Sequence, residues 1–289
     1  LDPVGQRKQT PTVRLRRLAA ELRRLRTEAG LTRDEVSDQT GINSVTLYRI
    51  ETAKARPQGR TLTAMLTLYG TADDERAQLV ALSKNALTQG WLQPFHAELS
   101  EEYTAYISFE AEAKSIRSYG SLFVPGLLQT EDYARAVIRG TMPKISNQEV
   151  EDRVRARMER QALLAADKPL TLWAIVDEAA LHRDVGGAAA MRGQIKRLAE
   201  AAEQPNITLQ VISFASGAHP GMPGSFVLLG FADPVDTDLI YIESIGGDLF
   251  LESGSDVATF TDAFDHLRAV AKSPADTTKR LTQLAKQRE

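Results

Sequence analysis

The chain has 289 residues, no cysteine and a formal net charge of −3, with 43% hydrophobic and 25% charged residues. That length accommodates two domains with their own cores, and the missing thiols exclude disulfides and thiolate metal sites. Neither a run of about 18 apolar residues nor a signal-peptide pattern occurs, so a soluble, unexported, cytoplasmic protein without a membrane span is expected. The charge is segregated: residues 1 to 70 hold 13 Lys and Arg against 7 Asp and Glu, joining a basic head to an acidic body.

Residues 1–12, LDPVGQRKQTPT, carry proline, glycine and little apolar content and read as a flexible arm. A first helix is predicted from Val13 to about Glu28, with Leu15, Leu18, Leu22 and Leu25 at helical steps and Gly30 beyond its end. Thr32 followed by Glu35 is a capping-box start for a second helix, and Asn43 or Ser44 caps a third. Gly41 sits where these two short helices meet at a sharp angle, a turn that needs positive φ. Val36, Ile42, Leu47 and Ile50 share one small core, which leaves Ser44, Val45, Tyr48 and Arg49 facing outward. This is the grammar of a helix-turn-helix whose last helix enters a DNA major groove; the competing reading is an ordinary helical hairpin.

The stretch from Leu15 to Tyr69, with L-T-R-D-E-V, G-I-N-S-V-T-L-Y-R-I-E, K-A-R-P and T-L-T-A-M-L-T-L-Y, resembles the repressor-type helix-turn-helix domains of the xenobiotic-response-element family. Two departures stand out. That family usually has glycine after the Ile-Glu pair, where this chain has Thr52 and Ala53, a cost of about 1 kcal/mol if Ala53 takes positive φ. Thr40 is also less apolar than its counterpart there. Double-stranded DNA is the expected partner. Ser44, Val45 and Arg49 are candidates to face bases: Arg49 donates two hydrogen bonds to a guanine and Val45 packs on a thymine methyl. Arg33, Asn43, Thr46, Lys54 and Arg56 are candidates to hold phosphates, the last two because the family's following loop lies along the DNA backbone. Arg16, Arg17, Arg23, Arg24 and Arg26 form either a solvated face or, for one or two of them, further phosphate contacts. One such helix covers few base pairs, so a homodimer on a pseudo-palindrome is expected.

A fourth helix is predicted from Thr61 to Gly70 and a fifth from Thr71 to about Leu87, with Leu79, Val80 and Leu82 closing a domain over residues 13–87. Residues 88–99, opening with TQGWLQPFH, break the periodicity at Gly90 and Pro94 and read as a linker, although Trp91 and Phe95 suggest packing. Residues 100–289 form the second domain. A helix gives way to an extended segment around Ser115 to Tyr119, Pro125 and Gly126 turn, Thr130 caps a helix, and Ser146 with Glu149 opens a long one to about Ala166. Five short segments rich in β-branched and aromatic residues then read as strands: 170–177, 207–214, 224–231, 238–244 and 248–253. The last two flank Ile245-Gly246-Gly247, a hairpin. Between the first two lies a helix from Gly187 to Glu203, with Met191, Ile195, Leu198 and Ala202 inward. A helix carrying Val257, Phe260, Phe264 and Leu267 and a charged one after Pro274 close the chain. The expected fold is thus an all-α helix-turn-helix domain followed by an α+β domain, a mixed sheet covered by helices.

VPGLLQT with DYARA, then G-H-P-G-M-P-G-S-F-V-L-L-G-F, I-Y-I-E-S and F-x-x-x-F-x-x-L resemble a C-terminal domain of unassigned function (DUF5753-like) common in actinobacterial helix-turn-helix regulators. That resemblance implies a regulator, often encoded beside a small acidic protein partner. The residues themselves carry no enzyme signature: His96, His182, His219 and His266 lack metal-ligand spacing, Ser225 lacks a nucleophile-elbow pattern, and no phosphate-cradling glycine loop occurs, so no cofactor or metal is expected. The loop from Ser216 to Ser225 is long and shaped, with His219 and Met222 as its candidate reading groups for an effector or partner. The resulting expectation is a dimeric, nucleoid-associated DNA-binding transcription regulator whose second domain senses a small protein partner or a small-molecule effector. The other class is a DNA-tethered enzyme with a catalytic site assembled in that second domain.

Overall fold

A computed structural model of the chain describes residues 13–85, 99–232 and 236–287. The predicted arm and nearly all of the predicted linker, with Trp91, Phe95 and His96, lie outside these residues. The chain divides into two compact units, Leu1–Gln93 with Asp233–Asp236, and Pro94–Ala232 with Thr237–Glu289.

The first unit is helical: α1 (Val13–Glu28), α2 (Arg33–Thr40), α3 (Ser44–Glu51), α4 (Gly59–Leu68) and α5 (Asp73–Asn85). Its core is the predicted apolar stripe of α1, with Leu18 and Leu22 fully buried, closed by Val36, Leu47, Ile50, Leu62, Met65, Leu66 and Leu79. The second helix starts on the Thr32–Glu35 capping box, and Gly41 ends it in the left-handed region at φ 71°. α4 begins two residues before the expected Thr61. Leu62 must already face the core, and its amide closes the first turn on the Gln58 carbonyl. α5 likewise begins at Asp73, because Thr71 is buried with its amide on the Leu66 carbonyl.

The second unit is α+β, built on a six-stranded mixed sheet. Its helices are α6 (Glu101–Glu112), α7 (Glu131–Thr141), α8 (Asn147–Arg160), the short α9 (Glu178–His182), α10 (Gly187–Ala201), α11 (Gly254–Val270) and α12 (Pro274–Gln287). The strands are β1 (Ser115–Gly120), β2 (Thr171–Asp177), β3 (Ile207–Ile212), β4 (Phe226–Gly230), β5 (Leu239–Ile242) and β6 (Leu249–Leu251), in the order β3-β2-β1-β4-β5-β6. The first three run parallel through helical crossovers, and the last three form an antiparallel meander joined at the predicted hairpin. The segment read only as extended, Ser115 to Tyr119, is a strand at the centre of the sheet, where parallel meets antiparallel.

Alternation sends the two faces to different cores. Tyr119, Ile175, Ile212, Phe226, Leu228 and Ile240 face Phe264 and Leu267 of α11, with Val257 and Phe260 half-buried beside them. Ile116, Ser118, Leu172, Val227 and Tyr241 face the other way. α8 stops at Arg160 and continues as a 3-10 turn over Gln161–Leu164, short of the expected Ala166, because the chain must tighten to bring Leu170 back to the Leu163 carbonyl. In α10 the inward alanine is Ala201, fully buried, with the expected Ala202 half-buried at the cap.

Candidate nucleic-acid interface and C-terminal cavity

The third helix has two opposite sides with different chemistry. Leu47 and Ile50 anchor it to the core, while Val45, at 65% exposure, Thr46, Tyr48 and Arg49 stand in solvent. Asn43 supplies the cap: its Oδ1 accepts the Val45 amide at 2.8 Å, which leaves the side-chain NH2 to donate elsewhere. Ser44 is half-buried and its hydroxyl donates to Asp34 Oδ1 at 2.9 Å, so of the three candidate base readers it is the one already engaged. Val45 and Arg49 lie four residues apart and share one exposed face, a spacing that lets both reach a groove floor.

The helix ends as the sequence departure suggested. Ala53 sits at φ 54°, the amide of Lys54 reaches the Arg49 carbonyl at 2.7 Å, and that of Ala53 reaches Ile50, a Schellman-type cap made with alanine. This turn puts Lys54 and Arg56, both exposed, directly beyond the groove-facing residues. Tyr48 draws two cations together: Arg33 lies 5.3 Å and Lys54 4.9 Å from its ring centre, and the Lys54 ammonium donates to its hydroxyl at 3.3 Å.

Glu51 ties the three helices together from inside. Its side chain is fully buried and receives Arg26 Nε at 2.6 Å, Arg26 Nη2 at 3.1 Å and Arg33 Nε at 2.9 Å. The carboxylate holds the Arg26 guanidinium protonated even more firmly than usual. Arg26 is therefore a strut between α1 and α3, and Arg33 divides its charge between Glu51 and the Tyr48 face. Arg24 is likewise occupied, by Glu21, Glu28 and Glu75. Arg17 and Arg23 remain on the exposed side of α1.

The second unit holds a cavity of about 150 Å³ between its sheet and the helices α6, α7 and α8, a feature the sequence reading did not locate. Its polar wall is one stripe of α8, Arg153, Arg157 and Arg160. Arg160 forms a buried bidentate pair with Glu110, at 2.6 and 2.7 Å, and donates to the Tyr103 hydroxyl at 2.6 Å. Tyr106 donates to the same carboxylate at 2.9 Å and stacks on Tyr241, ring centres 4.1 Å apart. Burial raises the Tyr106 phenol well above its ordinary pKa, and Glu110 adds to it. Burial also opposes ionisation of Tyr103, but the Arg157 and Arg160 charges outweigh it and bring that phenol below its ordinary value. Arginines at helical spacing in EDRVRARMER were the legible trace of this wall; their partners lie far along the chain, Gln129 being 28 residues from Arg157, and Glu110 and Tyr103 being 50 and 57 from Arg160.

Of the two groups predicted in the loop before β4, Met222 is exposed and His219 is turned inward. The His219 Nε2 sits 3.3 Å from Asp177 Oδ2, its Nδ1 accepts the Gly221 amide at 3.2 Å, and its ring meets Tyr119 edge to face. A Cβ at Gly221 would run into the Tyr119 ring, so the loop is pressed onto the sheet. Neither His219 nor Met222 lines the cavity. Glu178, beside Asp177, accepts the Phe214 amide, the Ser213 hydroxyl and Arg280. Burial opposes its ionisation, yet those three partners bring its pKa below the usual carboxylate value. Among the described residues no group of three or more metal-ligating side chains is assembled, and no helix is long and apolar enough to cross a membrane.

A two-helix unit with a capped glycine turn and an exposed, core-anchored third helix defines a helix-turn-helix protein, and residues 17–79 match the family model described as a helix-turn-helix domain. The larger match covers residues 103–283, and the chain belongs to the family described as domain of unknown function, DUF5753. Searches of curated proteins and of solved structures give no match.

Proposed function

We propose that this protein is a sequence-specific DNA-binding transcription regulator that works as a dimer and whose C-terminal unit senses a small-molecule effector. The observation that carries the reading is the division of α3: Leu47, Ile50 and Glu51 hold it from inside while Val45, Thr46, Tyr48 and Arg49 are exposed on the other side. In this reading Arg49 and Val45 read bases, and Ser44 contributes weakly because its hydroxyl is shared with Asp34. Lys54, Arg56, Thr46 and the Asn43 amide hold phosphates, with Arg33 adding partial charge beside Tyr48. Single units of this kind cover too few base pairs, so two copies bind half-sites about one helical turn apart. A concave, mostly apolar cavity with a few convergent polar groups favours an effector over a protein partner as the signal. The chain is assigned no catalytic step.

The test is selection of bound DNA from a random library by the full-length protein, followed by sedimentation of the complex. A compact inverted repeat occupied by two copies is expected. Recovery of unrelated sequences, or one copy per site, would remove the reading.

A further inference from the structure

The cavity is on the order of one that encloses a benzene ring. Its walls are mainly apolar or aromatic, among them Ile116, Leu172 and Tyr241. Within them stand two guanidiniums that no carboxylate among the described residues meets in an ion pair; the cap residue Glu149, one turn before Arg153, acts on it only from beyond that distance. Arg160 is neutralised by Glu110. Arg153 and Arg157 have no carboxylate at ion-pair distance among the described residues; Arg153 has the Tyr103 ring at 5.8 Å, and Arg157 has the neutral oxygens of Gln129 at 2.9 Å and Tyr103 at 3.5 Å. The Nε of each is buried without a hydrogen-bond acceptor. A fold that needed these positions for packing alone would be better served by apolar residues, because an unanswered buried donor is costly and two like charges four apart on a helix repel. An anion between them reverses both terms.

We propose that this cavity binds a small organic monocarboxylate, its apolar body against Ile116, Leu172 and Tyr241 and its carboxylate accepting from Arg153 and Arg157. The charge count selects a monoanion. With Arg160 cancelled, the charges on the lining itself, Arg153 and Arg157 against Glu243 on the exposed rim, leave one net positive charge, which a dianionic phosphate exceeds; Glu149 lies outside the lining. The site gives chemical content to the effector reading above and rests on it for regulatory meaning, but binding is measured without DNA.

The experiment is titration calorimetry and ligand-observed NMR on the full-length protein with benzoate and hexanoate, each beside its amide, and with phenyl phosphate. A carboxylate of the set is expected to bind at least about tenfold tighter than its amide, the margin of a charged hydrogen bond. Arg153→Gln, which alters a residue with no hydrogen bond among the described residues, should erase that margin, whereas Arg157→Lys should retain part of it. The ligand-free Arg153→Leu protein should melt no lower than the parent; a lower melting point would make Arg153 structural and overturn the assignment. So would failure of every carboxylate at millimolar concentration, equal binding of the amides, or a preference for phenyl phosphate. Carboxylate binding that leaves affinity for the selected DNA site unchanged would instead remove the effector role while the site stands.

Discussion

Replacing Glu51 by Ala removes the group that holds α1, α2 and α3 in one arrangement. Its side chain is fully buried, and Arg26, at 13% side-chain exposure, loses two hydrogen bonds, while Arg33, at 39%, loses one. Breaking a buried pair from one side leaves an uncompensated charge and costs about 3–5 kcal/mol. Arg33 contributes little to that figure, because a group so exposed recovers water when freed. Hydrogen exchange resolved on the amides of α3 isolates this unit from the rest of the chain. Protection there should fall by roughly two to three and a half powers of ten, at about 1.4 kcal/mol per tenfold, with no change in the sheet of the second unit. A fall of less than tenfold would refute the claim that Glu51 holds the unit together.

Gly41→Ala should destabilise the same unit by about 1–2 kcal/mol from backbone strain alone, since its Cβ would meet nothing within 4 Å; Gly41→Asn should cost less, and chemical denaturation compares the two. In the second unit Arg160→Ala should cost about 3–5 kcal/mol by leaving the Glu110 charge buried with only the Tyr106 hydroxyl beside it, and Arg160→Met combined with Glu110→Leu should restore most of it in calorimetry. Glu178 carries a folded-state pKa below its unfolded value, so its stabilisation is present above about pH 4.3 and is lost as pH falls through the lower, folded value. The melting-point gap between the parent and Glu178→Gln should therefore be widest near neutrality and narrow in acid; a gap constant with pH would contradict the pairing with Phe214, Ser213 and Arg280.

The helix-turn-helix unit was readable because its signals are local. A capping box spans three residues, a left-handed turn needs one glycine, and the core stripe of α1 repeats every turn, so Thr32, Glu35, Gly41, Leu18 and Leu22 occupy the places that their sequence positions imply. The five strands from Leu170 onward were legible for the same reason, while the central one, Ser115 to Gly120, read only as extended. Strand order was not: β1 owes its central place to pairing with β2, 56 residues on, and with β4 at still greater separation. The occupied arginines were hidden likewise, because Arg26 and Arg33 on a basic stretch look alike until Glu51 arrives from another helix. His219, a polar residue in a glycine- and proline-rich loop, gives no local hint that Asp177 and Tyr119 draw it inward. The cavity combines residues from Tyr103 to Glu243, so no window of sequence contains it.

The most direct test of the central claim is the affinity of Arg49→Ala for the selected DNA site and for random DNA, measured at one salt concentration with Lys54→Ala alongside. Loss of about 1–3 kcal/mol confined to the selected site, with relaxed preference at one position, is predicted for Arg49→Ala, and a uniform loss with a shallower salt slope for Lys54→Ala. Equal loss from Arg49→Ala on both DNAs would contradict the assignment of α3 as the element that reads sequence.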